Sequence, residues 1–444
     1  MEEIIALSAY AKKYLPLRAM SIFSKLSGEE ARTFRLHLFY SSIDGIASGA
    51  LILNEFIFIK SLNGSNVQLA FLFQFSMVVF LFAMVANEIM RRFSNRQRFL
   101  RITGIITRLP LVGLAFFPNV TGDNGLPPIY HLIFLAVFLL FHTSKIAVVP
   151  SVNQYLRSNY REALFGKLFG YATTLNKIFV LLTTFLVGEL LHINPNSYKI
   201  FYPIVGVLGV ISVFQLTKIN FIQKREAVIK PVWHALSDSF VRIIQILRNN
   251  KPFRHLEMGF ILYGFAWMST HAVVTIFYKE ALDVNYPTVA LYNIIFNLVA
   301  IMLLPLFGRL IGKRDPRRFG ILTFGSLMLF IAFTALTAYF PYYFIIGNYK
   351  IYYLFLVALL FNGVFTGSMP ILWGIGSSYF CKSHEAADYQ SVHLFLTGLR
   401  ALFAPIIGIK LYELYGFTFT YAVGIALLLM AISLMIYSEK HFKR

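Results

Sequence analysis

The chain has 444 residues, 57% of them hydrophobic and only 14% charged, where a soluble domain carries about a quarter charged residues. A mean hydropathy of +0.66 excludes a soluble globule and points to a membrane protein. The net charge of +20 would suggest a nucleic-acid partner in a soluble protein, so the positions of the 40 Lys and Arg residues decide its meaning.

Residues 1–33 read as a cytoplasmic amphipathic segment that ends in SGEE, where Ser27 and Glu30 match a capping box opening the first span. A bilayer core takes roughly 20 apolar residues per helix. Twelve such runs follow: 34–59, 67–90, 99–118, 128–150, 165–190, 200–216, 255–280, 286–311, 318–340, 350–380, 389–412 and 416–437. They lack the alternating pattern of roughly ten-residue barrel strands, so the expected class is an all-α polytopic membrane protein. No basic n-region with a short apolar core and small-residue cleavage site precedes the first span, so no signal peptide is apparent.

With the N-terminus placed in the cytoplasm, 31 Lys and Arg fall in segments on that side. Five (Lys60, Lys199, Lys279, Lys350 and Lys410) fall in loops on the other. This follows the positive-inside rule, places both termini in the cytoplasm and makes the basic charge a matter of topology, with no nucleic acid expected. Residues 218–252 form a polar linker whose Trp233, Leu236, Phe240, Ile243, Ile244 and Leu247 recur at helical spacing, as in an amphipathic helix on the inner membrane face. A calmodulin-like target helix is the alternative. The linker separates a bundle at 34–217 from one at 253–444 with its short basic tail. The single cysteine, Cys381, excludes an intramolecular disulfide and a cysteine metal cluster. No HExxH, Walker A or GxSxG pattern occurs, so neither enzyme activity, cofactor nor metal is expected.

The two halves repeat one another. FRLHLFYSSIDGIASG lies opposite FRHLEMGFILYGFAWM at an offset of 219, pairing Phe34 with Phe253, Arg35 with Arg254, Gly45 with Gly264, Ala47 with Ala266 and Lys60 with Lys279. At an offset of 223, Glu162 pairs with Glu385, Thr174 with Thr397 and Lys177 with Arg400. Such repeats are common in transporter folds.

Twelve spans in two six-helix repeats with a basic middle loop resemble the major facilitator superfamily. GRLIGKRDPRR, from Gly308 to Arg318, has the leading glycine and basic cluster of that family's loop motif, with Gly312 where the acid is expected. NEIMRRFSNRQR from Asn87 keeps the arginines and a displaced acid, Glu88. RNNKPFR (Arg248 to Arg254) and YREALFGK (Tyr160 to Lys167) also look like the family. The resemblance implies two pseudo-symmetric six-helix bundles related by an axis along the membrane normal, with spans 5 and 11 lining a central cavity. It implies a monomer working by alternating access in the plasma or inner membrane, among membrane lipids.

Four cations remain inside the spans: Arg108, Lys145, Lys177 and Arg400. A charge at the centre of a membrane helix costs roughly 2.5–3.5 kcal/mol on insertion scales and usually faces a cavity or a partner. The repeat makes Lys177 and Arg400 equivalents, facing each other across the cavity at similar depth. Opposed cations are relieved by an anion between them. The candidate substrate-binding residues are therefore Lys177, Arg400, Lys145 and Asp44. The competing reading pairs the cations with Asp44 or nearby carbonyls, bracing the bundle or latching a gate. For coupling or gating the candidates are Asp44, Arg108, His142 and His271. Asn293, Asn297 and Gln74 are secondary cavity candidates that could equally glue helices, and Glu55 and Glu189 are expected at the membrane interface.

The expected function is secondary transport of a small anionic or zwitterionic solute, with protons or another coupling ion. An exporter or flippase of amphipathic molecules is one alternative, and a non-transporting sensor or scaffold on the same fold is another.

Overall fold

The computed structural model describes residues 26–82, 85–86, 89–90, 93, 95–119, 126–220, 232–311, 315–382 and 385–442. Residues 1–25 of the amphipathic segment expected over residues 1–33 lie outside these, as do Asn87, Glu88 and Gly312 of the loop motifs.

Helix α1 (Gly28–Leu51) begins as its sequence requires. Ser27 Oγ accepts from the Glu30 amide at 3.3 Å, and the Glu30 carboxylate accepts from the Ser27 amide at 3.1 Å, which satisfies two of the helix's orphan donors. The chain breaks at Ile52 and Leu53 before α2 (Asn54–Lys60), then α3 (Asn66–Val78) runs into a 3-10 turn, Val79–Phe82. Helix α4 (Arg96–Arg108) gives way to a second 3-10 stretch, Leu109–Phe116, at Pro110, which has no N–H to offer the Ile106 carbonyl. Helices α5 (Pro128–Thr143) and α6 (Lys145–Asn159) are separated at Ser144, whose hydroxyl donates to the Phe141 carbonyl at 2.8 Å. Helix α7 (Glu162–Ile193) spans 32 residues, about 48 Å at 1.5 Å per residue, and outruns a bilayer core. Helices α8 (Tyr198–Leu216) and α9 (Val232–Asn249) complete the first half and the linker.

The second half contains α10 (Lys251–Glu280), α11 (Tyr286–Ile311), α12 (Pro316–Tyr339), a hairpin of β1 (Tyr343–Ile346) and β2 (Tyr349–Tyr352), and then α13 (Tyr353–Ile375), α14 (Ala386–Ala401) and α15 (Ala404–His441). The hairpin takes the first residues of what the sequence suggested as a span over 350–380. Its strands pair Ile346 with Tyr349 across Gly347 and Asn348, with Gly347 at φ +56°. This is a two-residue turn of the kind that wants a glycine where φ is positive.

Ten described helical segments are long and apolar enough to cross a membrane, and Asn66–Phe82 is a shorter apolar helix. The last of the ten, Asp388–His441, takes 54 residues and runs through α14 and α15. Its path breaks at Leu402 and Phe403 and again at Gly416, where φ is +77°. The twelve expected runs and these ten segments therefore differ at the second run and at the last two.

Close helix crossings set the packing. Helix α1 packs on α7 and α8, and α10 packs on α15. A Cβ at Gly45 would lie 2.4 Å from the Asn176 carbonyl oxygen, and one at Gly49 would lie 2.6 Å from that of Val180. The second half repeats the device, since a Cβ at Gly408 would lie 2.1 Å from the Ser269 carbonyl oxygen. Membrane helices gain no hydrophobic drive from one another, and small residues that let backbones approach replace it. Substituting Gly49 with Leu is expected to destabilise the protein by about 1–3 kcal/mol through overpacking, read as a lower unfolding temperature in detergent. Gly170→Ala, where a Cβ meets nothing within 4 Å, is expected to leave that temperature unchanged or raise it. Equal melting of the two variants would contradict this packing account.

Candidate functional site

A cavity of about 230 Å3 opens in the first half between α1, α6 and α7. Helix α1 contributes His37, Tyr40, Ser41 and Asp44, one face at i, i+3, i+4 and i+7, and α7 contributes Phe169, Thr173 and Asn176 in the same way. Asn176 ties the two helices together, its Nδ2 donating to the Ser41 carbonyl at 3.0 Å and to Asp44 Oδ2 at 3.2 Å. The Asp44 carboxylate has three charged neighbours: Arg108, Lys145 and Lys177. None of them closes an ion pair with it at short range.

The three cations differ in how they are held. Arg108 is buried, and its Nη1 donates to the Gly209 carbonyl at 2.7 Å and to Ser212 Oγ at 3.2 Å. It is a brace between α4 and α8. Lys145 opens α6, and Lys177 lies next to Asn176 on α7; both are half-buried with Asp44 as their opposite charge. Neither makes a hydrogen bond to a described residue. His142 stands apart from the cavity lining, its ring 5.6 Å from Phe141.

Lys177 and Arg400 lie in separate surroundings, with Arg400 turned into α10. Its Nη1 donates to the Phe260 carbonyl at 2.5 Å, its Nη2 to Thr397 Oγ1 at 3.2 Å, and its guanidinium sits 5.5 Å from the Tyr263 ring centre. A Cβ on Gly264 would fall 2.1 Å from Arg400 Nε, so the repeat partner of Gly45 is the residue that admits this side chain. About two helical turns before Arg400 on α14, His393 Nδ1 lies 3.1 Å from both carboxylate oxygens of Glu257, with both residues buried. Sequence reasoning passed over this pair. The signal was there, because His393, Thr397 and Arg400 share one face of α14 while Glu257, Phe260 and Gly264 share one face of α10.

Polar contacts between the two halves gather at the end that carries Lys60 and Lys279. Lys60 Nζ donates to the Val284 carbonyl at 2.7 Å, and Lys279 Nζ donates to that of Ile59 at 2.9 Å, so each repeat-related lysine clamps the opposite half. The Ser61 and Tyr286 hydroxyls are hydrogen-bonded there as well. His271 Nε2 lies 3.8 Å from Glu55, which also accepts from Thr275 at 3.4 Å, and Tyr349 of the hairpin donates to Glu189 at 2.8 Å. Glu55 and Glu189 are thus partners across the halves. Asn293 and Asn297 each donate back to their own helix, to the Val289 and Asn293 carbonyls, and Gln74 is buried among the helices. None of these three residues lines the first-half cavity. No group of three or more potential metal-ligating side chains occurs among the described residues.

A model of the Major Facilitator Superfamily matches residues 37–348. Several solved transporters share the fold. The nucleoside transporter NupG aligns at a TM-score of 0.65 and 14% identity, covering 94% of this chain and 100% of that one. A POT family transporter in complex with 5-aminolevulinic acid aligns at 0.69 and 12%, covering 93% and 97%. The xylose transporter XylE from E. coli, in a partially occluded inward open conformation, aligns at 0.62 and 15%, covering 93% and 98%. No curated protein matches the sequence.

The different bracing of the cations predicts different costs of removal. Arg400→Met removes the charged hydrogen bonds to the Phe260 carbonyl and the Thr397 hydroxyl and is expected to cost about 1.5–3 kcal/mol, the worth of a hydrogen bond to a charged group. Lys177→Met breaks no such bond and is expected to cost less than about 1 kcal/mol. Thermal unfolding of both variants in the same detergent checks the order, and a less stable Lys177 variant would reverse it.

Proposed function

The chain belongs to the Major Facilitator Superfamily and is a multi-pass membrane transporter of the secondary type, and we propose that it moves a small anionic or zwitterionic organic solute by alternating access. The observation that carries this reading is the charge count around Asp44. Three cations surround one carboxylate, an excess of two positive charges in a region of low dielectric, where an unbalanced charge is far more costly than in water. Arg108 is held by carbonyl and hydroxyl groups, whereas Lys145 and Lys177 keep donors unspent. An acidic group entering the cavity accepts from those two ammonium groups, and Asp44 remains to receive the ammonium of a zwitterion. Arg108 and Arg400 act as braces that position α4, α8, α10 and α14.

In this reading Asn66–Phe82 crosses the membrane as the second span, and Asp388–His441 supplies the eleventh and twelfth. Each half then has six spans, and both termini lie in the cytoplasm. The lysine clamps at Lys60 and Lys279 close the outer end, so the solute leaves toward the cytoplasm from this state. Reopening outward breaks the clamps together with the Glu55–His271 and Glu189–Tyr349 contacts, as expected for two halves rocking about a midplane site.

A thermal-shift screen of organic anions, zwitterions, neutral sugars and lipids against the wild type, Lys145→Gln and Lys177→Gln tests the proposal. A ligand at a hundred times its Kd stabilises the folded state by about 2.7 kcal/mol. An anion or zwitterion is expected to raise the unfolding temperature of the wild type, and at least tenfold more of it is expected to be needed for either variant. A neutral sugar or a lipid that stabilises all three proteins equally would overturn the assignment, and movement of labelled lipid across vesicles would replace it with a flippase.

A further inference from the structure

We infer that Lys60 and Lys279 form a second anion site, at the outer end of the seam between the halves, and that an oxyanion arriving from outside opens the seam by drawing both ammonium groups off the carbonyls they clamp. The inference rests on the reading of this state as closed outward and adds what opens it.

Each clamp joins a charged donor to a neutral acceptor. Lys60 Nζ donates to the Val284 carbonyl at 2.7 Å, and Lys279 Nζ donates to that of Ile59 at 2.9 Å, with Asn63 Oδ1 a further acceptor at 3.5 Å. The arms cross, because the acceptor of Lys279 is the residue before Lys60, and the acceptor of Lys60 lies in the loop that follows Lys279. Two like charges are thereby held in electrostatic range of each other. An ammonium has three donors. Lys60 spends one of them on a described acceptor and otherwise faces the Phe56 and Tyr286 rings, 5.3 and 5.8 Å away. A carboxylate or phosphate offers a full opposite charge and several oxygens where a carbonyl offers a dipole, so it outcompetes the carbonyls for both lysines at once.

The other charges at this end leave the lysines in excess. Asp283 is the acid within reach of Lys60. Lys350 of the hairpin adds a third ammonium, which donates to the Leu282 carbonyl of the same loop at 2.8 Å. Glu280 and Glu189 are engaged by the hydroxyls of Tyr412 and Tyr349. The C-terminal ends of α2 and α10 contribute about half a negative charge each. Three lysines against one aspartate and two helix ends leave the mouth positive.

The tips that carry these groups are stiff. The Leu62 amide donates to the Ile57 carbonyl at 3.1 Å and that of Gly64 to Phe58 at 3.0 Å; in the second half the Leu282 amide donates to Phe277 at 3.0 Å and that of Val284 to Tyr278 at 3.1 Å. Asn63 at φ +55° and Asp283 at φ +45° turn the chain between them, and short polar side chains tolerate that conformation. Loss of the lysine bonds therefore parts the halves and leaves each tip intact. Asn63 and Asp283 are exposed, so the aqueous phase reaches the site, and its ligand is a solute anion. Ammonium groups freed by opening bind that anion better than clamped ones, and the anion favours opening by the same factor.

Ser61 supplies the probe, because it is buried in the seam and hydrogen-bonded to Tyr286. The full-length protein with Cys381→Ser and Ser61→Cys is placed in vesicles of neutral lipid, and reaction with an impermeant maleimide reads opening. External inorganic phosphate, at fixed pH and with ionic strength held by sodium chloride, is expected to raise the labelling rate about tenfold, within the range of coupling between two linked sites. Adding Lys60→Gln and Lys279→Gln together is expected to give fast labelling without phosphate and no response to it. A rate that ignores phosphate in the parent, or a response that survives in the double variant, overturns the site. Lys177→Gln, which damages the inner site, is expected to keep the response; its loss there would place the phosphate in the first-half cavity and overturn the outer site. Anionic lipid that raises the rate with no phosphate present would make the ligand a headgroup and overturn the solute assignment. A parent thiol that already reacts as fast as the double variant contradicts the outward-closed reading itself, an outcome distinct from a closed seam that phosphate leaves closed.

Discussion

Charge buried in the membrane is the constraint on which this structure turns. A transmembrane chain can keep a cation in its interior only by surrounding it with acceptors or with an opposite charge, and the four buried cations divide by that rule. Arg108 and Arg400 are surrounded: each guanidinium reaches a helix carbonyl and a hydroxyl. The planar fork of arginine suits such multiple acceptance. Lys145 and Lys177 share a single carboxylate with Arg108. In the proposed reading the arginines belong to the scaffold, and the lysines leave the positive charge that a solute can answer.

The scaffold keeps these groups in place through close backbone contact. Gly45 and Gly49 bring α1 against α7, which sets Asp44 beside Asn176, and Gly264 opens the slot that Arg400 fills. Each repeat uses a glycine at the same point of its first long helix, but for different neighbours: a backbone carbonyl in one half and a guanidinium in the other. Equivalent positions have thus acquired unequal chemistry. The first half presents a polar cavity and the second a sealed charge cluster built on Glu257 and His393. The clamps of Lys60 and Lys279 remain close to symmetric, each ending on a carbonyl of the opposite half, as befits parts that hold the halves together.

Much of the architecture was legible in the sequence, because long apolar runs, capping boxes and loop cations report directly on local physics. The start of α1 at Ser27 was written in SGEE. The hairpin was less visible, since YFII and YKIY lie in a run apolar enough to pass for a membrane helix, although Gly347-Asn348 between two aromatic and β-branched stretches is a turn signal. Placing Lys177 opposite Arg400 followed from repeat symmetry, which fixes backbone positions and leaves side-chain partners open. Glu257 and His393 escaped notice because each stands near the edge of its span, where a charge costs little, and only the meeting of α10 and α14 buries them. Carbonyl acceptors such as those of Phe260 and Gly209 leave no mark in a sequence at all.

The proposal at the centre of this account is that Lys145 and Lys177 hold a solute's negative charge near Asp44 while Arg400 braces the second half. It is tested most directly by a structure determined with a stabilising anion bound, reading the position of its acidic group. The account predicts that this group lies within hydrogen-bond reach of Lys177 and Lys145 in the cavity between α1, α6 and α7, with Arg400 still on the Phe260 carbonyl. An acidic group seated on Arg400, with both lysines closed onto Asp44, would contradict it.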